Sequence, residues 1–155
     1  MDKEQDIIRL TDRLRRLCSR REYCTYDVRK KAMAALDGDS EAAEKVVAAL
    51  VADKYVDNLR YATAYAREKA MISGWGETKI RYMLSGKRIE RDIISQALME
   101  IDESKADSRL QKLLENKAKS LKEDPQIRLK LLRFALGRGY QYDDVTQAID
   151  KLLRD

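Results

Sequence analysis

The residues that could do chemistry are few. Cys18 and Cys24 lie six positions apart, and the chain contains no His. Two Cys without His or further Cys make a poor metal site, so we predict reduced, structural thiols. A nucleophile–base pair usually needs His, and the acidic pair Asp143 and Asp144 falls at a predicted helix start, where carboxylates stabilise the helix dipole. The sequence therefore predicts no catalytic site, no metal and no cofactor.

Recognition residues are more abundant and concentrate between Tyr55 and Ile89. This segment holds four of the eight Tyr and the only Trp. Besides Tyr55, its aromatics are Tyr61, Tyr65, Trp75 and Tyr82. They are interleaved with the basic residues Arg60, Arg67, Lys79, Arg81, Lys87 and Arg88, and Arg91 follows just after the segment. Arg beside aromatic side chains suits both protein hot spots and nucleic-acid backbones.

A second basic group lies near the start of the chain. At about 100° per residue, four Arg form a narrow stripe opposite the apolar side of the first predicted helix: Arg9, Arg13, Arg16 and Arg20. We predict that this stripe binds an anionic surface. The alternative is an ordinary solvated helix face.

Two further interpretations stay open at this stage. Trp75 lies between two Gly in a turn, where it could fill the core or contact a partner. Arg29, Arg81 and Arg128 recur at intervals of 52 and 47 residues. These three Arg either link neighbouring helices within the protein, through a carboxylate or a helix end, or contact a binding partner.

Composition favours an all-α protein. The single Pro and six Gly among 155 residues leave long segments with helical apolar spacing. The net charge of +5 permits contact with nucleic acid or an acidic protein surface without requiring it. The apolar runs are too short for a membrane span, and the charged N-terminus favours a cytoplasmic location.

Three similar blocks divide the chain. We predict three tandem three-helix repeats, about nine helices in all, at residues 1–55, 56–104 and 105–155. Repeats of this length stack so that each unit buries its apolar face, which predicts an elongated, curved body. In detail, we expect Thr25 as a helix N-cap, Pro125 at a first helical position, and Met83 buried beside Ile80 and Leu84.

The segment from Tyr55 to Ile89 resembles the signature region of the bacterial RecX regulatory proteins. The matching elements are Tyr55-Val56-Asp57, Arg60-Tyr61-Ala62, Tyr65, Arg67, Gly74-Trp75-Gly76, Ile80-Arg81, Leu84, Lys87 and Ile89. That family is built from three-helix repeats, so the resemblance extends over most of the chain.

The resemblance implies a non-catalytic modulator. RecX proteins bind the RecA recombinase, chiefly its filament on single-stranded DNA, and most suppress ATP hydrolysis, strand exchange and filament growth. The implied partners are the RecA filament and single- or double-stranded DNA, with no membrane and a monomeric chain. The candidate contacts come from the two basic groups and not from the family; they are Arg9, Arg13, Arg16, Arg20, Arg60, Arg67, Lys79, Arg81, Lys87 and Arg88.

Two other functions compete with this one. A sequence-independent DNA-binding helical-repeat protein would show DNA affinity that falls steeply with salt. A structural adaptor would capture a different protein and no recombinase.

Overall fold

The structure, a computed structural model, describes residues 2–101 and 103–154, without the side chains of Glu103 and Ser104. Over these ranges the chain forms nine α-helices and no β-strand, which confirms the all-α prediction. The helices are α1 Lys3–Cys18, α2 Thr25–Ala35, α3 Ser40–Ala52, α4 Asn58–Met71, α5 Glu77–Gly86, α6 Arg91–Met99, α7 Glu103–Ser120, α8 Ile127–Gly137 and α9 Tyr142–Leu153. The first and last residues of the predicted repeats, 1 and 155, lie outside the described ranges.

The helices pack as three triplets, α1–α3, α4–α6 and α7–α9, and each triplet has its own core. The first core contains Leu10, Leu14, Val28, Ala32, Ala43, Val46, Val47, Leu50 and Val56. The second contains Cys24, Tyr61, Ala62, Ala66, Ala70, Ile80, Leu84, Ile89, Ile94, Ala97 and Leu98. The third contains Leu110, Leu114, Leu131, Ala135, Tyr140, Val145 and Ile149. All extensive helix–helix packing among the described residues is within a triplet.

Small residues set the spacing of the second triplet. Ala62, Ala66 and Ala70 recur every four residues on α4 and are buried, and a row of small side chains lets α4 pack closely along α6. The prediction that Met83 is buried was wrong, because its side chain is 41% exposed. Ile80 and Leu84 are one helical turn apart and fill the core, whereas Met83 falls on the flank of α5.

Two predicted helix starts also need correction. Cys24, not Thr25, is the N-cap of α2, because the Thr25 hydroxyl accepts a hydrogen bond from Asn58 Nδ2 of the next triplet at 3.0 Å. Pro125 precedes α8, which begins at Ile127. There Asp124 forms a turn by accepting the Gln126 N–H at 2.8 Å, and this turn delays the helix.

The surface area agrees with an elongated shape. The molecule exposes 10267 Å², whereas a compact monomer of 18.0 kDa would expose about 8000 Å². Three small cores side by side leave more surface than one large core. Among the described residues, no helix combines the length and apolar character needed to cross a bilayer.

The first joint links the first and second triplets through the start of α2. The Thr25 N–H donates to Asn58 Oδ1 at 2.9 Å, and Lys87 Nζ donates to Asp27 Oδ1 at 2.7 Å. Cys24 belongs to the second core although it precedes α2. The start of α2 therefore serves both triplets.

The second joint links the second and third triplets through backbone groups. The Gly76 N–H donates to the Arg138 carbonyl at 2.7 Å, and the Thr78 N–H donates to the Gly139 carbonyl at 3.0 Å. The first N–H groups of a helix have no partner within it, so carbonyls of the third triplet satisfy them here. The Tyr140 hydroxyl adds a hydrogen bond to the Gly74 carbonyl at 3.1 Å.

Both joints follow one rule. The start of a triplet's second helix docks on the turn that precedes the third helix of the next triplet. At the first joint that turn contains Lys87 and Arg88, and at the second joint it contains Arg138 and Gly139. Arg88 and Gly139 both have positive φ, 56° and 96°. We propose three repeats at 1–55, 56–104 and 105–155, although the last division falls two residues inside α7 and Val56 packs in the first core.

The ion pair in the first joint predicts a pH-dependent stability. Burial raises the pKa of Asp27, but hydrogen bonds from Lys87 and Cys24 outweigh burial and hold this pKa below its ordinary value of 3.8. A carboxyl whose pKa is lowered by folding stabilises the protein above its ordinary pKa, and that stability is lost as the pH falls through the folded-state pKa. Asp27→Asn should therefore destabilise the protein at neutral pH by about 1 kcal/mol, and the deficit should shrink as the pH falls from 3.8 through the lower folded-state pKa.

Urea unfolding of Asp27→Asn at neutral and acid pH measures this deficit. The matched control is Asp150→Asn, which breaks an exposed ion pair with Arg128 and should have a smaller effect. Equal effects of the two substitutions at neutral pH would contradict the assignment of Asp27 to the joint.

Candidate interaction surfaces

All four Arg of the predicted stripe are exposed. Arg9, Arg13 and Arg16 lie on α1, but the prediction that Arg20 belongs to the same helix was wrong, because α1 ends at Cys18 and Arg20 lies in the turn that follows. The buried Leu10 lines a groove together with the three Arg of α1, so the stripe flanks the apolar side of the helix. Among the described residues, no carboxylate lies within ion-pairing distance of these four Arg. The stripe is therefore available to an external anion.

Acidic residues nevertheless border this stripe. Arg9, Arg13 and Arg16 line a groove of about 570 Å³ together with Asp6 and the α2–α3 turn. That turn contributes Asp37 and Asp39, and Asp39 pairs with Lys3. The α1 groove is therefore charge-mixed rather than uniformly basic, a property typical of protein contacts as well as phosphate contacts.

The structure does not gather the basic residues of the Tyr55–Ile89 segment onto one surface. The Arg60 guanidinium forms an ion pair with Glu22 at 2.8 Å and donates a hydrogen bond to the Lys54 carbonyl at 3.1 Å. Both partners belong to the first triplet, so these contacts cross the first joint. Lys87 is paired with Asp27 at the same joint. These two side chains connect the first and second triplets, which sequence reasoning did not reveal.

The remaining candidates are separated along the second triplet. Arg67 lies 3.9 Å from Glu100 at the other end of α4. The Lys79 ammonium lies 4.4 Å from the Trp75 ring centroid at the second joint. Arg88 lies 5.5 Å from the Tyr26 ring centroid at the first joint. Arg67 and Arg88 are exposed, whereas Lys79 is half-buried.

The interleaved aromatics play different structural roles. Tyr61 is buried in the second core, and Tyr65 stacks on it with ring centroids 6.0 Å apart. Trp75 makes an edge contact with Tyr65 at 6.3 Å. Of the four, only Tyr82 is largely exposed, at 75%. The aromatic row predicted from the sequence is therefore mainly a packing feature.

Trp75 is a packing residue at the edge of the second core. Its side chain is half-buried against that core and lies between the ammonium groups of Lys69 and Lys79, 4.9 Å and 4.4 Å from the ring centroid. Trp75→Ala should therefore lower the free energy of unfolding by about 2 kcal/mol, less than for a fully buried Trp. Urea titration followed by circular dichroism measures this loss, and Trp75→Phe should recover part of it.

The repeated Arg ties the second helix of each triplet to the third. Arg29 on α2 pairs with Glu44 on α3, and Arg128 on α8 pairs with Asp150 on α9 at 2.7 Å. Arg81 on α5 donates to Ser95 on α6 at 3.2 Å and also pairs with Glu77. The structural interpretation thus accounts for all three Arg, although each exposed pair contributes only about 0.5 kcal/mol.

A groove that sequence reasoning missed lies at the first joint. We call it the Tyr23 groove, and it has a volume of about 390 Å³. Its lining comprises Arg21, Tyr23, Asp27, Lys30, Lys31, Ala34 and Lys87. The signal in the sequence was the run from Tyr23 to Lys31, two Tyr followed by three cations, which was interpreted only as a helix start.

The residues considered first for chemistry have structural settings. Cys24 is fully buried, and burial raises the pKa of its thiol to about 11. Asp143 and Asp144 lie in the first turn of α9, as predicted. Within residues 2–101 and 103–154, no group of three or more potential ligands could hold a metal ion.

These features define a class of protein. The fold is a tandem array of three-helix units with separate cores, and its surface carries one charge-mixed groove and one mainly basic groove. The family model for the second three-helix domain of RecX matches residues 57–98, and that for the third three-helix domain of RecX matches residues 106–149. The chain belongs to the RecX family of regulatory proteins, as the signature region predicted.

Individual relatives support the same family. A Regulatory protein RecX of Vibrio parahaemolyticus is 35% identical over 136 residues, which cover 86% of this chain and 84% of that protein. A Regulatory protein RecX of Clostridium tetani is 33% identical over 119 residues, or 74% of this chain. The match spans about half, 54%, of the clostridial protein.

Solved structures support the fold. The crystal structure of RecX from Lactobacillus salivarius superposes with a TM-score of 0.82 at 21% identity, covering 96% of this chain and 97% of that chain. A second crystal structure, of a regulatory protein RecX, gives a TM-score of 0.83 at 19% identity and covers 96% of this chain and 73% of that one. The array of three triplets therefore recurs at low sequence identity.

Proposed function

We propose that this protein binds RecA recombinase filaments and inhibits or modulates their ATPase activity, strand exchange and growth. The observation that carries the proposal is the RecX family membership, which includes a relative matched over most of both chains. The protein acts by binding and not by catalysis, as a cytoplasmic monomer without a cofactor. It thereby affects recombinational DNA repair.

The architecture supports this role. An extended array of helical units presents a long surface, which suits contact with several subunits of a polymer at once. The exposed α1 stripe at the first triplet and the cations at the joints provide charged contacts along that length. Contacts to successive subunits would add through effective concentration, so modest individual contacts suffice.

The test is a titration of the cognate recombinase. DNA-stimulated ATP hydrolysis and strand exchange should both fall at substoichiometric ratios of this protein to recombinase, because one molecule spans several subunits or blocks a growing end. If neither activity changes at equimolar protein, the proposal is wrong. A pull-down that recovers a different partner and no recombinase would instead favour an adaptor.

A sequence-independent DNA-binding function is the second candidate. The Tyr23 groove favours it, because its cations outnumber its single carboxylate, Asp27. DNA affinity that falls steeply with salt in the absence of recombinase would support this function. The two activities are compatible, so the recombinase titration comes first.

A further inference from the structure

The two joints between triplets are held by different kinds of hydrogen bond. Across the first joint, most acceptors are side-chain oxygens, and two of the side chains are carboxylates, Glu22 and Asp27. Across the second joint, every acceptor among the described residues is a backbone carbonyl, namely that of Ser73, Gly74, Gly137, Arg138 or Gly139. The first joint therefore depends on side chains and charge, whereas the second depends on main-chain acceptors.

Arg60 makes the largest set of contacts at the first joint. From the first turn of α4, its Nε donates to both carboxylate oxygens of Glu22, at 2.9 Å and 2.8 Å. Its Nη2 donates to the Lys54 and Tyr55 carbonyls at 3.1 Å and 3.3 Å. One side chain of the second triplet thus holds both the turn before α2 and the turn after α3.

Solvent reaches both ion pairs of the first joint. The side chains of Arg60 and Glu22 are partly exposed, and so is that of Lys87, which pairs with Asp27 at 2.7 Å. Salt screens charges that face water, so both pairs weaken as the ionic strength rises. In the described part of the chain, no ion pair crosses the second joint.

The two joints also differ in stiffness. The backbones of Gly76 and Gly139 are so close that a Cβ at Gly76 would lie 2.5 Å from the Gly139 carbonyl oxygen. A hydrogen bond between two backbones has no rotatable side chain that could extend its reach. Arg and Lys, by contrast, have long flexible stems and can keep a contact while the groups that they join move.

One apolar contact remains at the first joint when charge is set aside. Among the residues that the structure describes, Cys24 is the one member of the first triplet that is buried in the second core, and Tyr26 packs against that core. Cys24 lies between Glu22 and Asp27 in the chain, so an ion pair flanks it on either side. Units with separate cores and a small interface are expected to move relative to each other.

We propose that the first joint is a salt-sensitive hinge, in which Cys24 is the pivot and the Glu22–Arg60 and Asp27–Lys87 pairs hold the closed angle. When both pairs break, the first triplet turns against the second while the cores stay intact. The α1 stripe belongs to the first triplet, so this motion changes the direction of the stripe relative to the other two triplets. The hinge is a property of the free protein and is independent of recombinase inhibition.

Hydrogen exchange of single amides, followed by NMR on the full chain, tests the hinge. The Thr25 N–H reports the first joint, because its acceptor is Oδ1 of Asn58 on the second triplet, at 2.9 Å. The Gly76 and Thr78 N–H groups report the second joint, because their acceptors are carbonyls of the third triplet. The amides of two buried core residues, Leu50 and Ile94, report the integrity of the first and second cores.

We expect Thr25 exchange to accelerate about fivefold when sodium chloride rises from about 0.05 M to about 0.5 M, because both ion pairs are screened. Exchange at the other four amides should change by less than about twofold. Unchanged exchange at Thr25 would overturn the proposal. Equal acceleration at Thr25 and Leu50 would also overturn it, because the first triplet would then be unfolding, and so would equal acceleration at Thr25 and Gly76.

A substitution separates the ion pairs from general effects of salt. Glu22→Gln breaks one pair, so Thr25 exchange should be about threefold faster at low salt and should respond less to added salt. The matched control is Glu44→Gln, which breaks the exposed pair with Arg29 inside the first triplet and should leave Thr25 exchange unchanged. Equal effects of the two substitutions on Thr25 would show that the Glu22–Arg60 pair does not hold the joint closed.

Discussion

Substitution of Gly76 or Gly139 by Ala should detach the third triplet from the second. A Cβ at Gly76 would lie 2.5 Å from the Gly139 carbonyl oxygen and 2.6 Å from the Tyr140 nitrogen. A Cβ at Gly139 would overlap the backbone and Cβ of Lys79. Real atoms never approach so closely, so the two triplets would have to move apart.

The expected loss in free energy of unfolding is large, because backbone atoms cannot move aside as a flexible side chain can. Overpacking costs about 1–3 kcal/mol, and separation of the triplets also breaks the hydrogen bonds from Gly76 and Thr78 to the facing carbonyls. We expect Gly76→Ala to lower the free energy of unfolding by about 3 kcal/mol. The loss should be greater for Gly139→Ala, because its φ of 96° adds about 1–2 kcal/mol of strain for a residue with a Cβ.

The only Trp makes this joint measurable. Trp75 lies beside Gly76, so its fluorescence reports the joint, whereas circular dichroism at 222 nm reports the helices. In urea, the fluorescence transition of Gly76→Ala should occur at a lower concentration than that of the wild-type protein. The helical signal should fall later, because the main packing lies within the triplets.

Two other Gly provide matched controls. Gly86 and Gly137 are helical, and a Cβ at either would meet no atom within 4 Å. Gly86→Ala and Gly137→Ala should therefore be neutral or stabilising by up to about 1 kcal/mol. If Gly76→Ala unfolds at the same urea concentration as these controls, the close approach of the two triplets is wrong.

The sequence predicted the helices well because their signal is local. Apolar residues at helical spacing define each triplet core, and the α1 stripe follows from the same periodicity. The repeat of Arg29, Arg81 and Arg128 was also visible, and its structural role emerged only with the partners on the third helices. Periodicity shows which face a residue lies on, but not what lies opposite.

The joints could not be predicted because their contacts are non-local and involve backbone atoms. Gly76 and Gly139 are far apart in the chain, and nothing in either residue indicates the other. The same limit explains the candidate sites. Arg60 and Lys87 stood out as basic residues near aromatics, yet they hold Glu22 and Asp27 of the preceding triplet.

The Tyr23 groove was missed for a related reason. Its cations come from α2, from the turn before α2 and from the turn before α6, so no single helix face displays them. The aromatic residues most prominent in the sequence lie in the second triplet, where Tyr61, Tyr65 and Trp75 pack in or against the core. A groove between triplets becomes visible only when the joint that forms it is known.

Reversal of charge along the α1 stripe should abolish inhibition of the recombinase while leaving the fold intact. The triple variant is Arg9→Glu, Arg13→Glu and Arg16→Glu. If each of the three contacts contributes about 1 kcal/mol to the binding free energy, their joint loss raises the half-inhibitory concentration by about 100-fold. Leu10 and Leu14, which anchor α1 in the first core, are unchanged in this variant, so helicity should not change.

The acidic border of the stripe calls for a second variant. Asp6, Asp37 and Asp39 share the groove with the stripe, so three added Glu also repel their neighbours. The corresponding Gln variant removes the positive charge without this repulsion, and it should lose inhibition by a smaller factor than the Glu variant.

The control reverses the charge of three exposed Lys of the third triplet, Lys112, Lys119 and Lys122. If inhibition depends on the position of the charges and not on the net charge, this control should inhibit as strongly as the wild-type protein. Recombinase ATPase titrations measure all three variants, and circular dichroism at 222 nm verifies their folding. Inhibition at wild-type strength by the folded Glu variant would show that α1 does not contact the filament. Loss of helicity in the Gln variant would show that the stripe stabilises α1 itself, since that variant introduces no repulsion.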